Sequence, residues 1–248
     1  MCTVTYIPDK NDGFSLTSNR DERIARPTSP PVFKLINDQT VWFPKDLEAG
    51  GTWIAASENG RTCCLLNGGF ENHVRKPPYA RSRGLIVQEA FQFEKIETFY
   101  NSVDLENVEP FTLITTETEK GAPVQLSQFV WDGSKRYIEE KDVQKPSIWF
   151  SATLYDRTTR EKRQEVFARW IAAHSSPSEE DIFHFHANRY PEQDERNMFL
   201  GLHNGLQTVS ITQVRQSPLF TAMKYIDMLK LSLPGNLLAN AYEVSLRP

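Results

Sequence analysis

The sequence predicts an α+β fold packed in layers. Three observations lead there. Alternating strand segments fill the first third, two marked helix starts follow in the second half, and strand patterns return towards the C-terminal end. No internal repeat or low-complexity segment argues for another architecture.

Each element has a local cause. Cys2–Ile7 and Phe14–Asn19 alternate apolar and polar residues on either side of Asp12-Gly13. Thr52–Ser57 and Arg61–Leu66 flank Asn59-Gly60, a two-residue hairpin signal. The stretch from Pro27 to Pro31 reads as a connection, because Pro30-Pro31 lacks ladder donors and excludes a central strand. A helix is expected over Arg81–Phe93, with Leu85, Ile86, Ala90 and Phe93 on one stripe, and a second over Ile96–Val103. Strands resume at Phe111–Thr116, Val124–Trp131 and Lys135–Glu139, the last two joined across Asp132-Gly133, and again at Ser147–Leu154. Thr158-x-x-Glu161 has the pattern of a capping box ahead of Val166, Phe167, Trp170 and Ile171. Ser176-Pro177-x-Glu179 adds proline at the first helical position. Strands then return at Gln207–Val214, behind Asn204-Gly205, at Met223–Leu231 and at Tyr242–Leu246.

A chain of 248 residues suits one large domain or two small ones, and 39% hydrophobic with 11% aromatic residues promises a substantial core. A net charge of −4 argues against a general nucleic-acid binder, which needs a basic face to displace counterions. No apolar run approaches the ~18 residues of a membrane span, and no basic-then-apolar leader opens the chain. A cytoplasmic, reducing setting is expected. The three cysteines, Cys2, Cys63 and Cys64, form neither a disulfide framework nor a zinc knuckle, since two are adjacent and none is in a CxxC. No P-loop or G-x-G-x-x-G pattern supports nucleotide binding.

Cys2 carries the chemistry. Once Met1 is removed it holds both a thiol and a free α-amine, with ordinary pKa values of about 8.5 and about 7.7–8.0, so the amine can take the thiol proton near neutral pH. Ser18-Asn19-Arg20-Asp21-Glu22 closes the second strand. If that strand pairs with the first, its end returns to Cys2. Arg20 would then hold the thiolate or a substrate carboxylate, and Asp21 would accept from the Cys2 ammonium. The competing reading is a solvated strand end. Asn67-Gly68-Gly69 offers an amide donor for an oxyanion and glycines for close substrate approach, or simply an Asn-Gly turn.

Met1-Cys2-Thr3, Asn19-Arg20-Asp21-Glu22, Gly50-Gly51-Thr52-Trp53 and Asn67-Gly68, in this order, resemble the NRDE family, also called the transport and Golgi organisation family. Arg81-Ser82-Arg83-Gly84, Ser151 to Tyr155 with Arg160, and Thr208-Val209-Ser210 look like its further blocks. The resemblance implies one N-terminal-nucleophile hydrolase-like domain over residues 1–248, a four-layer αββα sandwich with Cys2 at the end of a central strand. The start is also similar to choloylglycine hydrolases and penicillin V acylases, cysteine amidases of that fold. This implies Cys2, Arg20, Asp21 and Asn67 as catalytic positions and Asn19, Trp53, Gly68 and Arg83 as substrate-binding positions. The implied activity is cleavage of a non-peptide or cyclic C–N amide bond through a Cys2 acyl-enzyme, with a small-molecule partner and no cofactor. Two departures stand out. Arg20 and Asp21 are adjacent where those amidases have R-x-x-D, and Ala152 stands where a second oxyanion Asn is expected. The alternative is a non-catalytic carrier of a hydrophobic ligand, with haem as one candidate because animal family members are associated with its trafficking.

His184-Phe185-His186 has no metal-ligand spacing on a helix and reads as a helix end; with His203 it supplies the imidazoles available to a haem. Trp42, Trp53, Trp131, Trp149 and Trp170 are expected mainly in the core, and Arg160 to Arg163 on a solvated helix face.

Overall fold

The computed structural model describes residues 3–10, 12–188, 197–230, 238 and 241–246, so Cys2 lies outside the described residues. Strand β1 (Thr3–Pro8) pairs antiparallel with β2 (Phe14–Arg23), Thr3 facing Asn19 and Pro8 facing Phe14. Asp12 takes the positive φ that this turn needs, and a Cβ on Gly13 would sit 2.4 Å from the carbonyl oxygen of Gln216.

Among the described residues, thirteen strands build two antiparallel sheets. The first runs in the order β10 (Ser147–Phe150), β1, β2, β11 (Leu206–Ser217), β12 (Phe220–Asp227) and β13 (Tyr242–Leu246). The second runs β3 (Thr28–Ile36), β4 (Gln39–Asp46), β5 (Ile54–Ser57), β6 (Thr62–Asn67), β7 (Phe111–Glu119), β8 (Ala122–Trp131) and β9 (Arg136–Glu140). Because side chains alternate along a strand, each sheet buries two faces. Val4, Tyr6, Leu16, Trp42, Ile54, Cys64, Leu66 and Ile114 form the core between the sheets. Cys63, Leu65, Phe111, Leu113 and Phe129 face outward from the second sheet onto helices α1 (Arg83–Glu89) and α2 (Ile96–Ser102). Ile7 and Phe150 of the first sheet meet α3 (Arg157–Ala173) and α4 (Glu179–Ala187) through Phe167, Ile182 and Phe185. The result is helix, sheet, sheet, helix. Full burial of each large apolar side chain in these cores is worth about 1.5–3 kcal/mol. Cys63 and Cys64 are fully buried on opposite faces, and burial pushes the Cys64 thiol up to about 12. No helix among the described residues is long and apolar enough to cross a membrane.

Several sequence expectations need correction. The proline stretch belongs to strand β3, tolerated because β3 is the sheet edge and its register slips between Ser29 and Pro31. Strand β4 has no counterpart in the sequence reading. Helix α1 is shorter than expected, starting at Arg83 behind the Ser82 cap and tightening into a 3-10 turn at Ala90–Gln92. Strand β10 ends at Phe150, four residues early. The caps of α3 and α4 are Asp156 and Ser178, not Thr158 and Ser176. Asp156 accepts from the Thr159 amide, while Ser178 and Asp181 form the reciprocal capping box. Arg163 is not solvated; it is buried with its guanidinium 3.9 Å from the centroid of the Tyr155 ring.

Candidate active-site cleft

The ends of several strands converge at one end of the sandwich. Thr3 opens β1 between Asn19 of β2 and Phe150 of β10. Ser151, just past β10, donates its hydroxyl to the Asn67 carbonyl at 2.8 Å, tying the end of β6 to the same place. Here a narrow polar cleft of about 90 Å³ is lined by Arg20, Glu22, Arg26, Asp46, Trp53 and Asn67, with Arg83 and Gly84 closing it from helix α1.

Asp46 organises one wall. Its Oδ1 accepts from the amides of Glu48 and Ala49 at 3.1 and 2.9 Å, bending the chain after β4. Its Oδ2 pairs with Arg20 at 2.7 Å and with Arg26 at 2.8 Å. Burial opposes ionisation of this carboxyl, yet the Ala49 amide, Arg26 and Arg20 outweigh it and hold Asp46 below its ordinary value. The clamped Arg20 guanidinium lies 4.8 Å from the Trp53 ring centroid, and both side chains are buried. Arg20 Nη1 and Trp53 Nε1 are buried without a hydrogen-bond partner among the described residues.

The glycine motifs explain the second wall. The Gly50 turn leads the chain back under α1, where Thr52 N donates to Gly84 O at 3.1 Å. A Cβ on Gly51 would come within 2.5 Å of the Gly84 backbone, and one on Gly84 within 2.9 Å of the Thr52 backbone. Two backbones therefore cross in contact, and only glycine fits at the crossing. This crossing carries Arg83 to the cleft. There Arg83 pairs with the buried Glu109 at 3.1 Å and donates to the Pro110 carbonyl at 3.2 Å. Burial pulls the Arg83 pKa down, against the attraction of Glu109.

Asn67 lines the cleft, and its side-chain amide makes no hydrogen bond among the described residues, while its carbonyl is held by Ser151. Gly68 has a φ of 87°, as an Asn-Gly turn requires. Its own N–H goes to Pro110 O and its carbonyl accepts from Thr112, and a Cβ there would meet Thr153 and Ala152.

Asn19 and Asp21 project from the opposite face of β2 and do not line the cleft. Asn19 is fully buried and its amide donates to the carbonyls of His186 and Met198 at 3.1 and 2.9 Å. Asp21 accepts from Thr208 at 2.5 Å and from Tyr155 at 3.4 Å. Thus the cleft brings together Arg20, Trp53, Asn67 and Arg83, while Asn19 and Asp21 anchor the helix layer behind β2 and Gly68 packs on the chain beyond β10. His186 is buried with both ring nitrogens engaged, on Thr5 and Asn19, and burial lowers its pKa to about 3. An imidazole so committed does not fit an axial haem ligand. Among the described residues no group of three or more His, Cys, Asp or Glu gathers to hold a metal ion. Asp46, Arg26 and Glu109 were not read from the sequence. The only local signal was the Asp-x-x-x-Gly-Gly turn starting at Asp46.

The family model described as Transport and Golgi organisation 2 matches residues 1–219. No curated protein matches the sequence. Among solved structures, a Caenorhabditis elegans ortholog of N-acylethanolamine-hydrolyzing acid amidase is similar with a TM-score of 0.61 at 10% identity, covering 98% of this chain and 100% of that one. A variant of conjugated bile acid hydrolase from Clostridium perfringens gives 0.55 at 11% identity, over 100% and 97%. Another variant of that hydrolase, with the cysteine at its second position replaced by alanine, gives 0.51 at 10% identity, over 100% and 97%. At such identities the likeness establishes the fold, the αββα sandwich of N-terminal-nucleophile hydrolases.

Proposed function

The chain belongs to the Transport and Golgi organisation 2 family, and on that footing we propose that residues 1–248 act as one hydrolase-like domain cleaving a non-peptide or cyclic C–N amide bond through Cys2. The observation that carries this reading is the meeting of Arg20, Trp53, Asn67 and Arg83 in one cleft at the end where Thr3 opens β1. Even-numbered side chains of β1, Val4 and Tyr6, face the space between the sheets, as Arg20 does. The reading requires Cys2 to follow that alternation. Support also comes from the bile acid hydrolase, which has a cysteine at its own second position.

In this reading Met1 is removed and the Cys2 α-amine takes the thiol proton. The thiolate attacks the amide carbonyl, and the oxyanion is met by the free amide of Asn67 and a backbone N–H. The amine then passes its proton to the leaving nitrogen, the C–N bond breaks, and a thioester remains on Cys2. Water attacks the thioester, losing a proton to the amine. The C–S bond breaks, releasing the acid and restoring the thiol. Arg20 balances the thiolate charge. Asp21, two residues beyond Asn19 on β2, receives the ammonium, which requires the α-amine to reach the face of β2 that Asp21 shares with Thr208 and Tyr155, and Trp53 and Arg83 shape the substrate side. Asn19 and Gly68 contribute through the walls they hold.

The experiment is intact-protein mass spectrometry before and after treatment with a β-lactam or acylating amide probe, with site mapping. Loss of Met1 and stoichiometric acylation at Cys2 are expected. A processed Cys2 that reacts no faster than free cysteine overturns the hydrolase reading in favour of a carrier on the same fold.

A further inference from the structure

A second, larger cavity lies on the other side of the Asn67–Gly69 segment. It has a volume of about 380 Å³, within the range of small-molecule pockets. It opens at the flank of the sandwich, between the edge strand β10 and the inner face of β6, β7 and β8, under the first turns of α3. Its inner end is apolar, made by Leu66, Val130, Ile148 and Phe150. Most polar groups on its wall are already committed. Gln128 Oε1 accepts from Trp149 Nε1 at 2.8 Å, and Thr112 donates to Gly68.

The charges at the mouth are Arg157, Arg160, Glu161 and Glu71. Arg157 and Glu161 pair at 2.8 Å and cancel. Glu71 makes no ion pair among the described residues. Arg160 is half-buried, makes no ion pair, and its Nε is buried with no hydrogen-bond partner among the described residues. Arg160 lines the cavity, and an acceptor there would meet its guanidinium through a charge-assisted hydrogen bond. A cavity with an apolar end, and with the unpaired Arg160 guanidinium and the unpaired Glu71 carboxylate at its mouth, suits a ligand with an apolar body and a single anionic end that Arg160 meets.

We propose that this cavity binds an amphipathic monoanion, its apolar body against Leu66, Val130, Ile148 and Phe150 and its carboxylate on Arg160. The binding stands apart from the hydrolase reading. Only its further role, receiving the apolar end of a substrate held at Asn67, rests on that reading.

The test is calorimetric titration of the full chain carrying Cys2→Ala, so that no turnover intrudes, with decanoate, decan-1-ol and decyltrimethylammonium. Decanoate is expected to bind saturably, and the neutral and cationic probes at least about tenfold more weakly, the usual worth of a charge-assisted hydrogen bond. Arg160→Gln should erase that preference while leaving decan-1-ol unchanged. Gln164→Trp, on the exposed rim of the cavity, should block all three probes. The proposal is overturned by absence of saturable decanoate binding, by a charge preference that survives Arg160→Gln, or by unaltered binding in Gln164→Trp. An unreactive Cys2 would sink the hydrolase reading and alter none of these results.

Discussion

His186 donates its Nδ1 proton to Oδ1 of Asn19 across 2.7 Å. The direction follows from Asn19 itself, whose NH₂ group faces two carbonyls, so its oxygen must face the ring. His186 Nε2 then accepts from the Thr5 hydroxyl at 2.8 Å. The ring is neutral and fully satisfied, and protonation would place an uncompensated charge in a fully buried site.

An acid-labile helix layer follows. Burial lowers His186 from 6.5 to about 3, so between these values the unfolded chain binds a proton that the folded chain does not. Stability contributed by the neutral ring is complete above about pH 6.5 and is lost as pH falls towards 3, by a few kcal/mol in all. Urea midpoints should drop between pH 7.5 and 5. His186→Gln should be less stable at pH 7.5 and show a shallower fall; equal slopes in both proteins would contradict the assignment.

Asp46 holds two arginines against each other's charge, so Asp46→Asn leaves Arg20 with no full countercharge in a buried site. Breaking such a pair costs about 3–5 kcal/mol. The carboxylate's contribution is present above its unfolded pKa, near 4, and is lost as pH falls through its lowered folded value. Denaturant melts of Asp46→Asn should therefore show a large loss at pH 7 that shrinks in acid. An unchanged midpoint at pH 7 would refute the clamp.

Backbone contact between Gly51 and Gly84 predicts that Gly51→Ala is destabilised by steric overlap, about 1–3 kcal/mol. Gly50→Ala is a useful contrast, since its Cβ would meet nothing within 4 Å and only its φ of 70° resists substitution, at about 1–2 kcal/mol. Thermal melts compare the two. A Gly51→Ala protein as stable as wild type would mean the crossing yields more readily than its geometry indicates.

Asn67→Ala tests the oxyanion role with little structural cost, because the fold uses the Asn67 backbone and not its amide. Acylation of Cys2 by the probe should slow about 10²–10³-fold with the melting temperature nearly unchanged. A normal acylation rate would remove Asn67 from the mechanism.

Much of the sheet structure was legible because its turns are marked in the sequence. The Asn59-Gly60 hairpin and Asn204-Gly205 were read with their flanking strands nearly in place, and Tyr242–Leu246 forms β13 as expected. Helix starts were misplaced by two residues where Ser, Thr and Asp crowd together, since several side chains compete for each cap. The cleft was half legible. Arg20 and Arg83 stand out as motif residues, but Asp46 and Glu109 answer them from 26 residues away in each case, across contacts that no local pattern encodes. Adjacent on a strand, Arg20 and Asp21 point apart by simple alternation. That alternation gave no hint that Asp21 is met by Tyr155 and Thr208.

The deep burial of Cys63 and Cys64 puts both thiols out of reach of reagents while the sandwich is closed. Of three cysteines, two are sealed in separate cores and, by burial, disfavoured as thiolates. Alkylation or isotope-coded tagging of either one in native protein therefore reports opening rather than surface reactivity.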